Sequence, residues 1–373
     1  MRLQWCRSLA AADFPRDDYE ALRQRVGQAT PFNRLGWLQG AEGALSPGQD
    51  LHVLLGWDGP RLVLCLPLLD CRERRAGLPF RVVRHLGYPL ADRIALLIDA
   101  GQQAALDEVL QCIRRDLPHA LLQLSELTAD PAQRMPCETW AQASWFAERR
   151  PSCRAPVHRI AEEDRREPSG DLRYKLRKAR RRCEEIGARV VRLCPDASTA
   201  PALIEAIAEV EQRSWKGDEG VGIFSGAQRR HWMDQALRGL AAENCLRVVL
   251  LEHDGRVISY RLGLFDQGRL YDYNLAFLPE YAALGAGRML LDEWLRWGLE
   301  EGWQWLDASR VRLRGSNHQL HERQTGEVEH LRWSFYSRRP SGLALGLAYG
   351  AWRQLKPHLQ RWRQTAPSAE PSP

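Results

Sequence analysis

Two segments far apart in the chain, Val53–Gly59 (VLLGWDG) and Val249–Gly255 (VLLEHDG), each lead into a second apolar run. Asp-Gly between apolar runs is a strong short-range signal for a two-residue hairpin. The same order follows both: a helix, Gln102–Arg115 or the one opening near Leu284–Gly287, then a short apolar run, Leu121–Leu124 or Trp303–Ala308. This order predicts a structural duplication, with two unrelated hairpins as the alternative. A chain of 373 residues, 44% of them hydrophobic, has room for the two cores a duplication needs. The expected class is α/β (α+β), each half a mixed central sheet flanked by helices. The halves are expected at 1–150 and 171–340, joined by a polar linker at 151–170 that carries Pro151, Pro156 and Pro168.

The copies differ where chemistry matters. In the first, Asp99-Ala100-Gly101 joins strand candidate Ile94–Asp99 to the helix; in the second, LPEYAALGAGR intervenes. Only the second has a glycine-bearing loop long enough to wrap a phosphate against free N–H groups at a helix start. The helix itself is marked by Leu290, Trp294 and Trp297 at helical spacing. The second half is therefore expected to be the working half and the first its scaffold. In its hairpin Ile258, Tyr260, Leu262 and Leu264 alternate with Arg261 and Gly263. On the next strand, Arg269–Phe277, Tyr271 and Tyr273 share one face and Asp272 and Asn274 the other.

Upstream, Asp171–Ile186 predicts an amphipathic helix, with Leu172, Leu176, Ala179, Cys183 and Ile186 on one face and a run of Arg and Lys from 173 to 182 on the other. That cationic face suits tRNA, an anionic glycan or CoA phosphates, or is simply solvated. Only Tyr174 interleaves with the cations, which weakens a nucleic-acid reading. Helix Ala200–Trp215 ends with Glu211 and Trp215 one turn apart and Lys216 beside them. A Glu and a Lys at a cleft can exchange protons, and a plain helix-end cluster has the same spacing.

Other classes are disfavoured. Nine cysteines occur without a C-x-x-C pair, which argues against a disulfide framework or a zinc site and fits a reducing, cytoplasmic setting. The N-terminus turns charged too early for a signal peptide, and no apolar run is long enough to span a bilayer. His318, His321 and His330 lack metal-ligand spacing, so no metal is expected; no G-x-S-x-G or Walker loop occurs. A net charge of +6 permits an anionic ligand without requiring nucleic acid.

With SWKG after Glu211, the VLLEHDGRVISYRLGL hairpin and LPEYAALGAGRMLLDEWLRWGLEEGWQWLD in view, the second half resembles a GNAT-type acyltransferase. It is most similar to the BioF2-like group, which includes CelD-type cellulose-biosynthesis proteins and is related to FemABX aminoacyl ligases. The helix RYKLRKARRRCEEIG and, in the first half, TPFNRLGWL with its hairpin fit the same group, so the resemblance spans roughly residues 5–340. Ala286-Gly287 stands where the group tends to have Pro-Gly, and Asp307-Ala308-Ser309-Arg310 lacks the lysine that commonly follows.

The resemblance implies two tandem GNAT-like domains. It also implies acetyl-CoA or another acyl-CoA as co-substrate and a small or glycan-linked amine as acceptor, in envelope or exopolysaccharide chemistry. On that model Gly285, Ala286, Gly287 and Arg288 hold pyrophosphate. Tyr271 or Tyr273 protonates the thiolate, and Asp272 or Glu211 receives the amine proton. Trp215, Lys216, Asp307 and Arg310 meet the acceptor. Core packing for the aromatics and turn capping for Asp307 are the competing accounts. A FemABX-like ligase using aminoacyl-tRNA and a non-catalytic module in polysaccharide assembly are the alternatives. The oligomeric state is open.

Residues 341–364 are expected to form one or two amphipathic helices, broken at Pro357. They suit docking on the protein's own core or peripheral contact with an anionic membrane. Residues 365–373 are expected to be a disordered tail.

Overall fold

The computed structural model describes residues 1–75, 77–315 and 317–365, with side chains up to residue 356; the expected tail falls outside the described residues save for its first. Both hairpins form. In the second, Asp254 (φ +49°) and Gly255 (φ +73°) are the two left-handed central residues of a type I′ turn. In the first, Asp58 pairs with Arg61, so the turn is Gly59-Pro60, one residue later than the sequence match implies.

The first half runs β1 (Arg2–Cys6), α1 (Arg16–Arg25), α2 (Leu35–Gly43), β2 (Asp50–Asp58), β3 (Arg61–Arg75), β4 (Leu78–His85), β5 (Leu97–Ile98), α3 (Leu106–Asp116), β6 (Leu121–Thr128), α4 (Pro131–Gln142) and β7 (Phe146–Arg159). Then come α5 (Gly170–Glu185), β8 (Arg189–Leu193), α6 (Ala200–Gln212), α7 (Trp215–Asp218), α8 (Gly226–Ala242), β9 (Leu246–His253), β10 (Arg256–Asp266), β11 (Arg269–Phe277), α9 (Ala286–Glu301), β12 (Trp305–Asp307), β13 (Gly326–Tyr336) and α10 (Pro340–Thr365).

The strands form one thirteen-stranded sheet in the order β1-β2-β3-β4-β6-β13-β7-β12-β11-β10-β9-β8, with β5 beside β3. The duplication is visible as two matching runs. β1-β2-β3-β4 and β8-β9-β10-β11 are antiparallel, and each closes on a parallel partner, β6 or β12, reached through α3 or α9. Two sequence expectations change. Pro151–Arg159, read as linker, belongs to β7, which pairs with β13 and β12. The Ile94–Asp99 strand shrinks to β5 and an isolated bridge from Ile94 to Leu127.

The halves also meet through helices. Gly36 and Gly40 of α2 let its backbone lie directly on Gly239 and Ala236 of α8; a Cβ at Gly40 would sit 2.7 Å from the Ala236 nitrogen. Arg34 and Arg23 reach across to Asp266 at 2.6 and 2.9 Å. One apolar core joins the halves, with Phe32 and Trp37 packed on Tyr273. Gly40→Val is expected to cost roughly 1–3 kcal/mol by overpacking, read as a lower urea midpoint with an unchanged slope.

Candidate active site

Beyond β11 the chain makes a 3-10 turn, Pro279–Leu284, and Gly285 takes a left-handed conformation (φ +71°) that starts α9 at Ala286. No side chain caps this helix start, so its first N–H groups lack a side-chain acceptor, the arrangement that suits an anion. The atoms nearest a Cβ at Gly287 would be those of Gln319, at 3.5 Å or more. The basic helix α5 lies alongside: Ala179 faces Gly285, Arg182 donates to the Ala283 carbonyl, and Arg180 pairs with Asp292. Arg288 is held by Glu322 at 2.9 Å, and Lys175 approaches the same carboxylate at 3.5 Å. The loop thus sits among cations, of which Arg180, Arg288 and Lys175 are paired with carboxylates.

A slot opens next to it. β12 ends at Asp307, opposite Tyr271, while β11 continues to Phe277, and no strand among the described residues pairs with that outer edge. On the inner edge Leu262 faces Asn274 and Gly263 faces Asp272, which leaves Tyr273 as a bulge. Both tyrosines turn toward Phe32 of the first half.

At this bulge a cavity of about 340 Å³ is lined by Asp92, Lys216, Tyr273, Asn274 and Arg310. Pro89 and Arg229 also border an adjoining cavity of about 550 Å³, whose wall includes Leu69, Tyr88 and Trp232. Lys216 hydrogen-bonds Asn274, lies 4.0 Å from Glu211, and is pushed below the usual lysine range by burial. Glu211 itself is fully engaged. One oxygen accepts from the Phe224 N–H at 2.8 Å, the other from the Asn274 amide at 2.5 Å. Asp92 comes from the first half. Burial raises its carboxyl to about 7, against the opposing pull of Arg310.

Among the residues singled out from sequence, Glu211, Lys216, Tyr273 and Arg310 converge here, and Gly285–Arg288 gather at the start of α9. Asp272 lies between the two groups, bound to Arg261 and 3.3 Å from His318. Burial would raise its carboxyl, but Arg261 and His318 prevail and hold it below the ordinary range. Arg261 also donates to the Gly287 carbonyl at 3.0 Å. The remaining three lie elsewhere. Trp215 is 45% exposed and does not line the cavity. Asp307 binds Arg93 at 2.9 Å and caps the Ser309 N–H at 2.8 Å. Tyr271 is buried against Arg93. The Tyr273 hydroxyl donates to the Leu90 carbonyl at 3.0 Å, and burial keeps it protonated. Sequence reading did not find Asp92. It is one acid in YPLADRI, and only folding sets it against the second half.

The two repeated strand runs, their parallel closures and the strand bulge fit a tandem GNAT fold. Residues 170–318 match the family model described as an acetyltransferase (GNAT) domain. A structure titled FemX is similar over 93% of this chain and 100% of its own, at 10% identity and a TM-score of 0.62. A tandem GNAT protein from the clavulanic acid biosynthesis pathway is similar over 90% and 98%, at 14% identity and 0.51. The C-terminal domain of a putative lysylphosphatidylglycerol synthetase from Agrobacterium fabrum gives 88% and 94%, 12% identity and 0.53. No curated protein matches the sequence.

Proposed function

We propose that this chain transfers an acyl group from a CoA thioester to an amine, with Asp92 as the general base. The observation that carries the reading is the meeting of three features: an uncapped glycine-bearing helix start, an unpaired strand edge, and a carboxyl at about 7 in the cavity beside them. An acyl-CoA supplies the activated thioester. The N–H groups of Ala286, Gly287 and Arg288 bind its phosphates, and the outer edge of β11 offers backbone groups to its amide-bearing arm. Asp92 takes the proton from the amine as the C–N bond forms, and the C–S bond breaks to release CoA as its thiolate. The Lys216 ammonium donates to the negative charge that develops, and Asn274 and Glu211 fix its position. The Tyr273 hydroxyl, committed to Leu90, holds the loop that carries Asp92. The acceptor enters through the larger adjoining cavity.

The resemblance to BioF2-like and CelD-type proteins supports an envelope or exopolysaccharide amine as acceptor. A second reading, transfer from aminoacyl-tRNA, is favoured by the cationic face of α5 beside the loop. Calorimetry with acetyl-CoA tests the first: binding is expected, and Gly287→Glu, which sets a carboxylate at the helix start, is expected to weaken it by about tenfold or more. Absence of acetyl-CoA binding, with steeply salt-dependent binding of aminoacyl-tRNA, would transfer the assignment to the ligase.

A further inference from the structure

α10 does two things along its length. Its first turns dock: Gly342 lies against the Ser337 and Ala120 carbonyls, Gly346 against Trp145, and Tyr349 stacks on Tyr336 and bonds Glu148. From Ala351 to Lys356 every residue is exposed, so the helix has left the sheet by then. The outward side is mostly apolar, interrupted by Ser341 at its start and Gln354 near its described end. Leu343, Leu347, Ala351 and Leu355 step by four along one ridge, and Ala344, Ala348 and Trp352 along the next, all exposed. Leu347 is 66% exposed, Leu355 56% and Trp352 51%.

Two adjacent ridges of this kind on one helix are not the scattered apolar residues of an ordinary surface. The charge around them has one sign. Between Glu329 and Glu370 the sequence holds no acidic residue, while Arg338 and Arg339 are exposed just before the helix, Lys356 is exposed at the border of the face and Arg353 on the side away from it. The acid packed against α10, Glu148, is bound by Arg150 and Tyr349. No helix among the described residues is long and apolar enough to cross a membrane. An apolar helix face with cationic borders instead fits in-plane seating at the headgroup level, where cations meet anionic lipid and their stems cover apolar surface.

We infer that α10 seats the protein on an anionic membrane surface through the Leu343–Leu355 face. The inference does not depend on the identity of the acyl donor. The test is co-sedimentation of the full chain with vesicles of phosphatidylcholine alone or mixed equally with phosphatidylglycerol. Wild type is expected to pellet with the mixed vesicles and to be released by salt. The double variant Leu347→Glu/Leu355→Glu is expected to lose roughly tenfold or more in partitioning. Both positions are exposed, so its circular dichroism and acetyl-CoA titration are expected to match wild type. Failure of wild type to pellet, equal binding to neutral vesicles, or equal binding by the variant overturns the inference. So does a wild-type dimer that the variant converts to monomer without any vesicle binding, which would assign the face to a second copy of this chain.

Discussion

Asp92→Asn is expected to lower kcat/KM by about 10²–10⁴-fold while leaving acetyl-CoA affinity unchanged. The prediction has a pH signature. A carboxyl at about 7 must lose its proton to act as base, so wild-type kcat/KM should rise with pH through about 7, and the variant should lack that limb. It also has a stability signature of opposite sign. Because the folded-state pKa is raised, ionising Asp92 costs the fold stability as pH climbs from about 4 toward 7. The asparagine variant should therefore be at least as stable as wild type at neutral pH while being far less active. A variant that loses stability and keeps its pH limb would remove Asp92 from the mechanism.

Asp272→Ala should do the reverse. Arg261 is wholly buried, and its carboxylate partner is Asp272. Removing one partner of a buried pair leaves an uncompensated charge and costs roughly 3–5 kcal/mol. Urea unfolding would read the loss, and the double variant Arg261→Met/Asp272→Leu should recover much of it. The sign for pH follows from a lowered carboxyl: the pair stabilises above the ordinary carboxylate range and fails as pH falls through the folded-state value. Loss of activity with stability intact would instead restore Asp272 as a candidate base.

These two acids mark how far sequence reasoning reached. Asp272 stood out because it lies on a strand beside the glycine loop, but the sequence did not reveal its buried partner, Arg261. Arg261 alternates with Ile258, Tyr260, Leu262 and Leu264, which suggests an outward polar position. β10 is buried on both faces, so the alternation carries no such meaning. Asp92 was invisible because much of its environment, including Lys216, Asn274 and Arg310, comes from residues more than a hundred positions away. The hairpins, the glycine loop and the basic helix were legible because turn chemistry and helical periodicity are local. β7 was not, since Pro151 and Pro156 read as breakers. The strand tolerates them because β12 pairs only with Val157–Arg159, which leaves that side an edge through both prolines, and Pro151 falls at a register shift against β13. At the C-terminus, Pro357 does not divide α10, which runs as one helix.

The position of β13 sets the order in which this molecule can be assembled. It lies between β6 and β7, so both strands of the first repeat keep an open edge until residue 336 has been synthesised. Chains usually complete their N-terminal domain while the rest is still being made. Here the first repeat waits for almost the whole of the second, with two strand edges open to wrong partners meanwhile. The repeats share one sheet and one core, and in time they are a single folding unit. A ribosome stalled inside the second repeat would release neither half complete.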